Sequence, residues 1–431
     1  MPLNWTSRGT RITRLVAAVG LAACRAQMGS APGAVGVMEG GAGRETLLDS
    51  PRLPATLYAY SDLSAPIPIQ FVRGGRGRGG QFFQQQPPPG QQPPPGQQPP
   101  PGQFGQPFPP GRGGPGGPAI ATDNTPEDNV TTDAGATLGR VLFYDRRLSA
   151  NDKVACGSCH QQRFGFGDTA RFSVGLNGKV TARHSMALAN SRFYRDGRYF
   201  WDERAASLEA QVLQPIQNDV EMGMSLDRLV PKLQATSYYP ALFSAAFGSP
   251  DVSVDKISLA LAQFVRSLVS ADSRFDRVFD RDGPPDFGAL TREEQDGQRI
   301  FTGRGQCQQC HTTNALVLDR VHNTGLDATI TDIGAGGGRF KSPSLRNVAV
   351  RAPYMHDGRF KTLEEVVDFY DHGVQANRNL DPRLRGPGGN VRRLSLSTHE
   401  RSALVAYLKT LTDSTFLTAA KFSNPFIGLE H

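Results

Sequence analysis

Two pentapeptides constrain this chain more than any other feature: Cys156-Gly-Ser-Cys159-His160 and Cys307-Gln-Gln-Cys310-His311. C-x-x-C-H is the pattern of c-type haem attachment, in which two thiols add to the haem vinyl groups and the next residue offers its imidazole to iron. One C-x-x-C alone leaves a structural zinc site or a redox dithiol open. Here the pattern occurs twice, each copy runs directly into His, and Cys24 is the only other cysteine. The expectation is two covalently bound haems, on Cys156/Cys159 and Cys307/Cys310, with His160 and His311 as proximal ligands. The order helix, haem motif, loops and closing helix, met twice, predicts a mainly α fold. It has two cytochrome c-like domains in tandem, each wrapped around one c-type haem and loop-rich, because the cofactor supplies much of the apolar interior.

A weak internal repeat agrees with that reading. Gly139-Arg-Val-Leu-Phe143 precedes the first motif and Gly297-Gln-Arg-Ile-Phe301 the second. Each half closes on an amphipathic helix, with stripes Leu261, Phe264, Val265, Leu268 and Leu404, Tyr407, Leu408, Leu411. Ser397 and Glu400 form a capping box at the start of the last helix. The first domain is assigned to residues 119–275 and the second, with a C-terminal tail, to 276–431.

The N-terminal part has a different character. Arg8, Arg11 and Arg14 precede the apolar stretch Leu15 to Ala23, which makes residues 1–24 an export signal too short to span a membrane. Leu21-Ala-Ala-Cys24 is similar to a bacterial lipobox, which predicts lipidation of Cys24; cleavage near Ala23 with an incidental cysteine is the alternative. Residues 25–72 form an irregular extension. Residues 73–118 contain only Gly, Pro, Gln, Arg and Phe, with a QQPPPG repeat, and read as a disordered spacer that cannot bury a core. Of the net charge of +7, +6 lies in residues 1–118, so the folded part is nearly neutral. That argues against a basic nucleic-acid groove. No apolar run reaches the roughly 18 residues of a membrane span.

From Asp123 to Phe422 further stretches carry a resemblance. They are Leu138-Gly-Arg-Val-Leu-Phe-Tyr-Asp-Arg-Arg-Leu148, Phe200-Trp-Asp-Glu-Arg-Ala-Ala-Ser-Leu208, Pro215-Ile-Gln-Asn-Asp-Val-Glu-Met-Gly223, Lys341-Ser-Pro-Ser-Leu-Arg-Asn347 and Ala352-Pro-Tyr-Met-His-Asp-Gly358. With the two haem motifs they resemble the bacterial di-haem cytochrome c peroxidase family, with features of its MauG-like branch. The resemblance implies reduction of hydrogen peroxide to water by two electrons, one haem meeting peroxide and the other passing electrons. By position in the motifs it makes Glu221 the distal acid–base group, with Gln211 nearby and Trp201 between the haems. Without the resemblance, Glu221 reads as a loop acid, Gln211 as a solvated residue on a short helix from Ser207 to Leu213, and Trp201 as core packing.

Three departures matter. Many family members carry a distal His on the first haem; here that position is Leu176, which predicts a five-coordinate first haem, with His184 left open as a replacement ligand. The resemblance puts the distal ligand of the second haem fourteen residues beyond His356, at Tyr370, where ordinary peroxidases have Met and MauG-type enzymes Tyr. The rival is Met355, with Tyr370 a packed aromatic on the helix capped by Thr362 and Glu365. The family's calcium ion takes backbone carbonyls, here from Arg351 and Pro353, and an Asn side chain, where this chain has His184. Imidazole is a poor calcium ligand, so calcium stays open. The implied partners are hydrogen peroxide and a small electron-donor cytochrome or cupredoxin. A homodimer is admitted, and the expected place is the periplasm, with membrane contact only through the lipid. Three functions compete: peroxide reduction, MauG-like oxidation of a partner protein or other substrate, and plain electron carriage.

Overall fold

Polar caps open the long helices in this computed structural model, which describes residues 45–47, 49–61, 123–278, 286–311 and 315–429. Strand β1 spans Glu45–Leu47. Thr132 accepts a hydrogen bond from Gly135 N and starts α1, Asp133–Tyr144. Ser207 does the same for α2, Leu208–Gln217. Then come α3 (Leu226–Gln234), α4 (Tyr239–Phe247) and α5 (Val254–Ser267). A Thr291–Glu294 capping box opens α6, Arg292–Thr302. Strands β2 (Leu318–His322) and β3 (Phe340–Ser342) pair antiparallel. Helix α7 spans Leu363–Asp368 and α8 spans Thr398–Lys409, the latter opened by the Ser397–Glu400 box. Strand β4 is Ile427–Leu429. The chain is thus mainly helical, as expected.

The repeat noticed in the sequence marks a pair of helix crossings. A Cβ on Gly139 would lie 1.9 Å from Ala260 O, and one on Gly297 would lie 1.9 Å from Ala403 O. In both places the next obstacle is an aromatic Cβ four residues on, Phe264 or Tyr407. Helices α1 and α5, and α6 and α8, therefore touch backbone to backbone, which only glycine permits. Gly139→Ala and Gly297→Ala are each expected to destabilise by about 1–3 kcal/mol. The ~0.5–1 kcal/mol gained from the better helix former does not offset a clash with a carbonyl that cannot swing away. Denaturant unfolding of the two variants at equal haem content checks this; an unchanged midpoint would refute the crossing argument.

The apolar interior falls into clusters. One gathers α1, α2, α4 and α5, with Leu138, Leu142, Phe243, Ile257 and Phe264 sealed from solvent. A second holds Phe301, Val367, Leu404, Tyr407 and Leu411. A small third holds Phe369, Val374 and Leu380, with Met355 and Tyr370 against it. After Asp413 the chain returns to the first cluster through Phe416, Phe422 and Phe426.

The N-terminal extension is a structural part of that first cluster. Strand β1 pairs antiparallel with β4. Tyr60 is buried between Phe264 and Phe422, both with ring centroids 6.4 Å away. Asp133 Oδ1 accepts from Tyr60 N, Ser61 N and Ser61 Oγ, each at 2.8 Å. Downstream, Asn124 Nδ2 donates to Tyr194 O at 2.8 Å. The Gly/Pro/Gln segment, the signal and Cys24 lie outside the described residues, yet the chain on both sides of that segment docks on the same fold. Among the described residues no helix is long and apolar enough to cross a membrane.

Candidate functional site

Each Cys-x-x-Cys-His stretch forms one tight turn. In the first, Cys156 O accepts from His160 N at 2.9 Å, and Ser158 Oγ accepts from Ala155 N at 3.0 Å. In the second, Cys307 O accepts from both Cys310 N and His311 N at 3.1 Å. His160 Nδ1 lies 3.0 Å from Phe166 O, and His311 Nδ1 lies 3.1 Å from Leu316 O. A carbonyl only accepts, so Nδ1 carries the proton in both rings and Nε2 is left bare for a metal. Phe166 and Leu316 both stand in the left-handed backbone region, at φ 61° and 55°. Held strain of this kind is a mark of functional loops. No sequence pattern pointed to either residue.

Burial sets the protonation of these groups. It pulls the His160 pKa down and that of His311 to about 4, so both rings are neutral and able to ligate. It pushes the Cys156 thiol up to about 12, Cys159 to about 11 and Cys307 to about 12, and raises Cys310 as well. A redox dithiol needs the opposite, a depressed thiol pKa. Among the described residues no three His, Cys, Asp or Glu side chains converge as a zinc site requires.

A cavity of about 220 Å³ opens beside Cys307, Cys310 and His311. Its walls include Phe301, Leu345, Val367 and Leu408, and its polar edge holds His322, Arg351, Asp381 and Arg383. His322 Nδ1 and Asp381 Oδ2 are 2.5 Å apart, with the Arg383 guanidinium against both. Apolar walls, two thiols, one imidazole and a cationic edge fit a haem with its carboxylates. The donor set of the first turn fits a second. Intact mass of the mature protein, expressed with a c-type maturation system, is expected to exceed the chain by two haems. One haem or none would overturn the assignment.

Tyr370 and Met355 both line this cavity. The helix that carries Tyr370 does not continue as expected: α7 ends at Asp368 and passes into a π-turn, Phe369–Gly373. Such wide turns occur often at functional sites. Burial, then the neighbouring Cys310 and Cys307, raise the Tyr370 phenol pKa. Among the described residues nothing hydrogen-bonds to its hydroxyl. Met355 has φ 74°.

Glu221 sits in a turn built by Asn218. The Asn218 carbonyl accepts from Glu221 N, Met222 N and Gly223 N at 3.0, 3.0 and 2.9 Å, and buried Met222 and Met224 anchor the turn. Leu176 N donates to Val220 O and Glu221 O at 2.8 and 2.9 Å. Leu176 therefore packs directly on the Glu221 turn. Burial raises the Glu221 pKa, and its charge raises those of Cys156 and Cys159. The charge of the carboxyl is thus felt at the first haem-attachment turn. Gln211 is half-buried two turns before Asn218 on α2. That helix runs on through Pro215 to Gln217, past the expected end at Leu213.

Trp201 links the two regions. Its Nε1 donates to His184 O at 2.8 Å, and its carbonyl accepts from Lys341 N at 2.8 Å. Next in the chain to His184, Ser185 Oγ is 3.2 Å from His160 Nδ1. The indole itself lines the cavity that holds His311. His184 is buried, its Nδ1 3.1 Å from Ala170 O, and it lines the same cavity. Arg351 and Pro353 also line the cavity.

Comparison with known proteins places this geometry. The family model for the di-haem cytochrome c peroxidases matches residues 133–283. The methylamine utilization protein MauG of Methylorubrum extorquens is 36% identical over 298 residues, which cover 66% of this chain and 80% of that protein. The cytochrome c551 peroxidase of Nitrosomonas europaea is 32% identical over 296 residues, 64% of this chain and 79% of that protein. The crystal structure of a MauG-like protein associated with microbial copper homeostasis superposes with a TM-score of 0.61 at 33% identity, covering 71% of this chain and 97% of that one.

Proposed function

This chain belongs to the di-haem cytochrome c peroxidase family, and from that premise we propose that it is an exported enzyme that reduces hydrogen peroxide to water. Two cytochrome c-like domains, 119–275 and 276–431, each carry one haem, and electrons pass from the second to the first. A small cytochrome or cupredoxin supplies them. Bound haem supplies the redox chemistry with peroxide. The chain's own residues do the rest. His160 and His311 offer a bare Nε2. Glu221, as carboxylate, takes a proton from one peroxide oxygen and returns it to the other as that oxygen leaves as water. Gln211 helps to orient the peroxide. Trp201 offers an aromatic step between the two attachment turns. Leu176 cannot ligate iron, so the face that Glu221 addresses stays free for peroxide.

The observation that carries this reading is the Glu221 turn, on which Leu176 packs, with a half-buried carboxyl of raised pKa whose charge bears on Cys156 and Cys159. A pure electron carrier has no use for such a group. Steady-state peroxide turnover with a reduced cytochrome c, beside the electron-spin spectrum of the resting ferric protein, tests it. Absence of turnover with both haems present would reject peroxide reduction.

A second reading rests on Tyr370. Its cavity-facing hydroxyl suits a hard oxygen ligand, which favours oxidised iron over easy electron uptake. That would turn the oxidising power of peroxide on a partner protein or another substrate, as in the MauG-like branch.

The place of action is proposed to be the periplasm, with Cys24 lipid-anchored. Metabolic lipid labelling is expected for the wild type and not for Cys24→Ser. A wild type already soluble and unlabelled would make Cys24 incidental.

A further inference from the structure

Arg351 is an unusual charge among the described residues. It stands in the wall of the cavity that holds Cys307, Cys310 and His311. Its Cβ lies only 3.7 Å from where a side chain on Gly167 would begin, and Gly167 follows the Phe166 that orients His160. The residue therefore stands where the Gly167 stretch meets the cavity of the second attachment turn. One Nη2 donates to Ser344 O, and Nε is buried without a hydrogen-bond partner. Among the described residues no carboxylate pairs with it; the polar neighbours that bear on its charge are the phenols of Tyr194 and Tyr354. Its positive charge bears on both His184 and His311.

A half-buried cation with no carboxylate partner among the described residues is costly unless a ligand provides the anion. The same place is where the family resemblance puts calcium, on the carbonyls of Arg351 and Pro353 and an Asn side chain. This chain does not fit that ion. The Asn position is His184, whose Nδ1 is engaged by Ala170 O. A hard divalent cation wants several oxygens, carboxylates among them, and here it would meet a second positive charge instead. We propose that Arg351 replaces calcium: its guanidinium is the fixed cation between the haem sites, it takes a haem propionate as its anion, and the protein binds no calcium there.

The inference rests on the two-haem reading, and the experiment separates them. Holoprotein shown by intact mass to carry two haems is gel-filtered, analysed for calcium, and titrated with calcium chloride and with EGTA. The expected result is less than stoichiometric calcium, with no change in the resting spectrum or in either midpoint potential. Arg351→Gln is expected to lower the midpoint potential of the second haem, since a nearby positive charge favours the added electron, whereas Arg351→Lys keeps it near wild type. One tightly held calcium per chain, a spectral change with EGTA, or an unchanged potential in fully loaded Arg351→Gln overturns the inference. Should Arg351→Gln fail to take up haem, the calcium measurement on the wild type decides alone. A wild type with fewer than two haems defeats the two-haem reading instead.

Discussion

Glu221→Gln is expected to cut peroxide turnover by about 10²- to 10⁴-fold while both haems stay attached, the range of a lost general acid–base group. That corresponds to about 3–5 kcal/mol of barrier. The substitution keeps the shape of the side chain and the Asn218 turn, whose bonds run through the Glu221 backbone, so the fold gives no other reason for the loss. Burial holds the Glu221 carboxyl above the ordinary glutamate pKa. The base is the ionised form. Turnover should therefore decline on acidification, with a midpoint above the usual glutamate range. The Gln variant should lose that limb of the pH profile. Activity within a few-fold of wild type would reduce Glu221 to a loop acid and remove the main support for peroxide reduction.

Tyr370→Met is the second large effect. The fourteen-residue offset from His356 reaches Tyr370, which the π-turn carries at the cavity wall, with no hydrogen-bond partner for its hydroxyl among the described residues. If Tyr370 is the ligand, a thioether in its place should raise the second haem's potential and ease electron uptake from a reduced cytochrome, because sulfur stabilises ferrous iron and a phenol oxygen does not. Tyr370→Phe should then change the ferric spectrum and Met355→Leu should not. The opposite pair of outcomes makes Met355 the ligand and Tyr370 a packed ring. The first result leans the protein toward MauG-like oxidation, the second toward peroxide removal.

Much of the local chemistry was legible in the chain because it is written in contiguous residues. The two Cys-x-x-Cys-His turns, the Ser397–Glu400 cap and the Gly139 and Gly297 repeat need only near neighbours or a fixed helical spacing. Their structural counterparts follow from that spacing: a capped helix in one case, a glycine at a helix crossing in the others. Glu221 was different. By spacing it is an acid in a polar loop, and only the resemblance to a family gave it a role.

What tertiary structure decided is what depends on groups distant in sequence. Phe166 and Leu316 orient the two imidazoles through backbone carbonyls at positive φ, and a carbonyl leaves no trace in side-chain identity. The π-turn at Tyr370 is a backbone choice that periodicity reads as ordinary helix. The strap from Glu45 to Ser61 looked irregular because its order comes from β4, Phe264, Phe422 and Asp133, none of them nearby in the chain. Arg351 reads as one basic residue among many until the fold shows its Nε buried without a partner, and its charge without a carboxylate, among the described residues. The sequence by itself determined the haem-attachment chemistry and the helical class, because covalent motifs and amphipathic periods are local. The protonation of His311 and Glu221, the company Tyr370 keeps and the isolation of Arg351 came only with the fold, because burial and Coulomb interactions depend on distance in space.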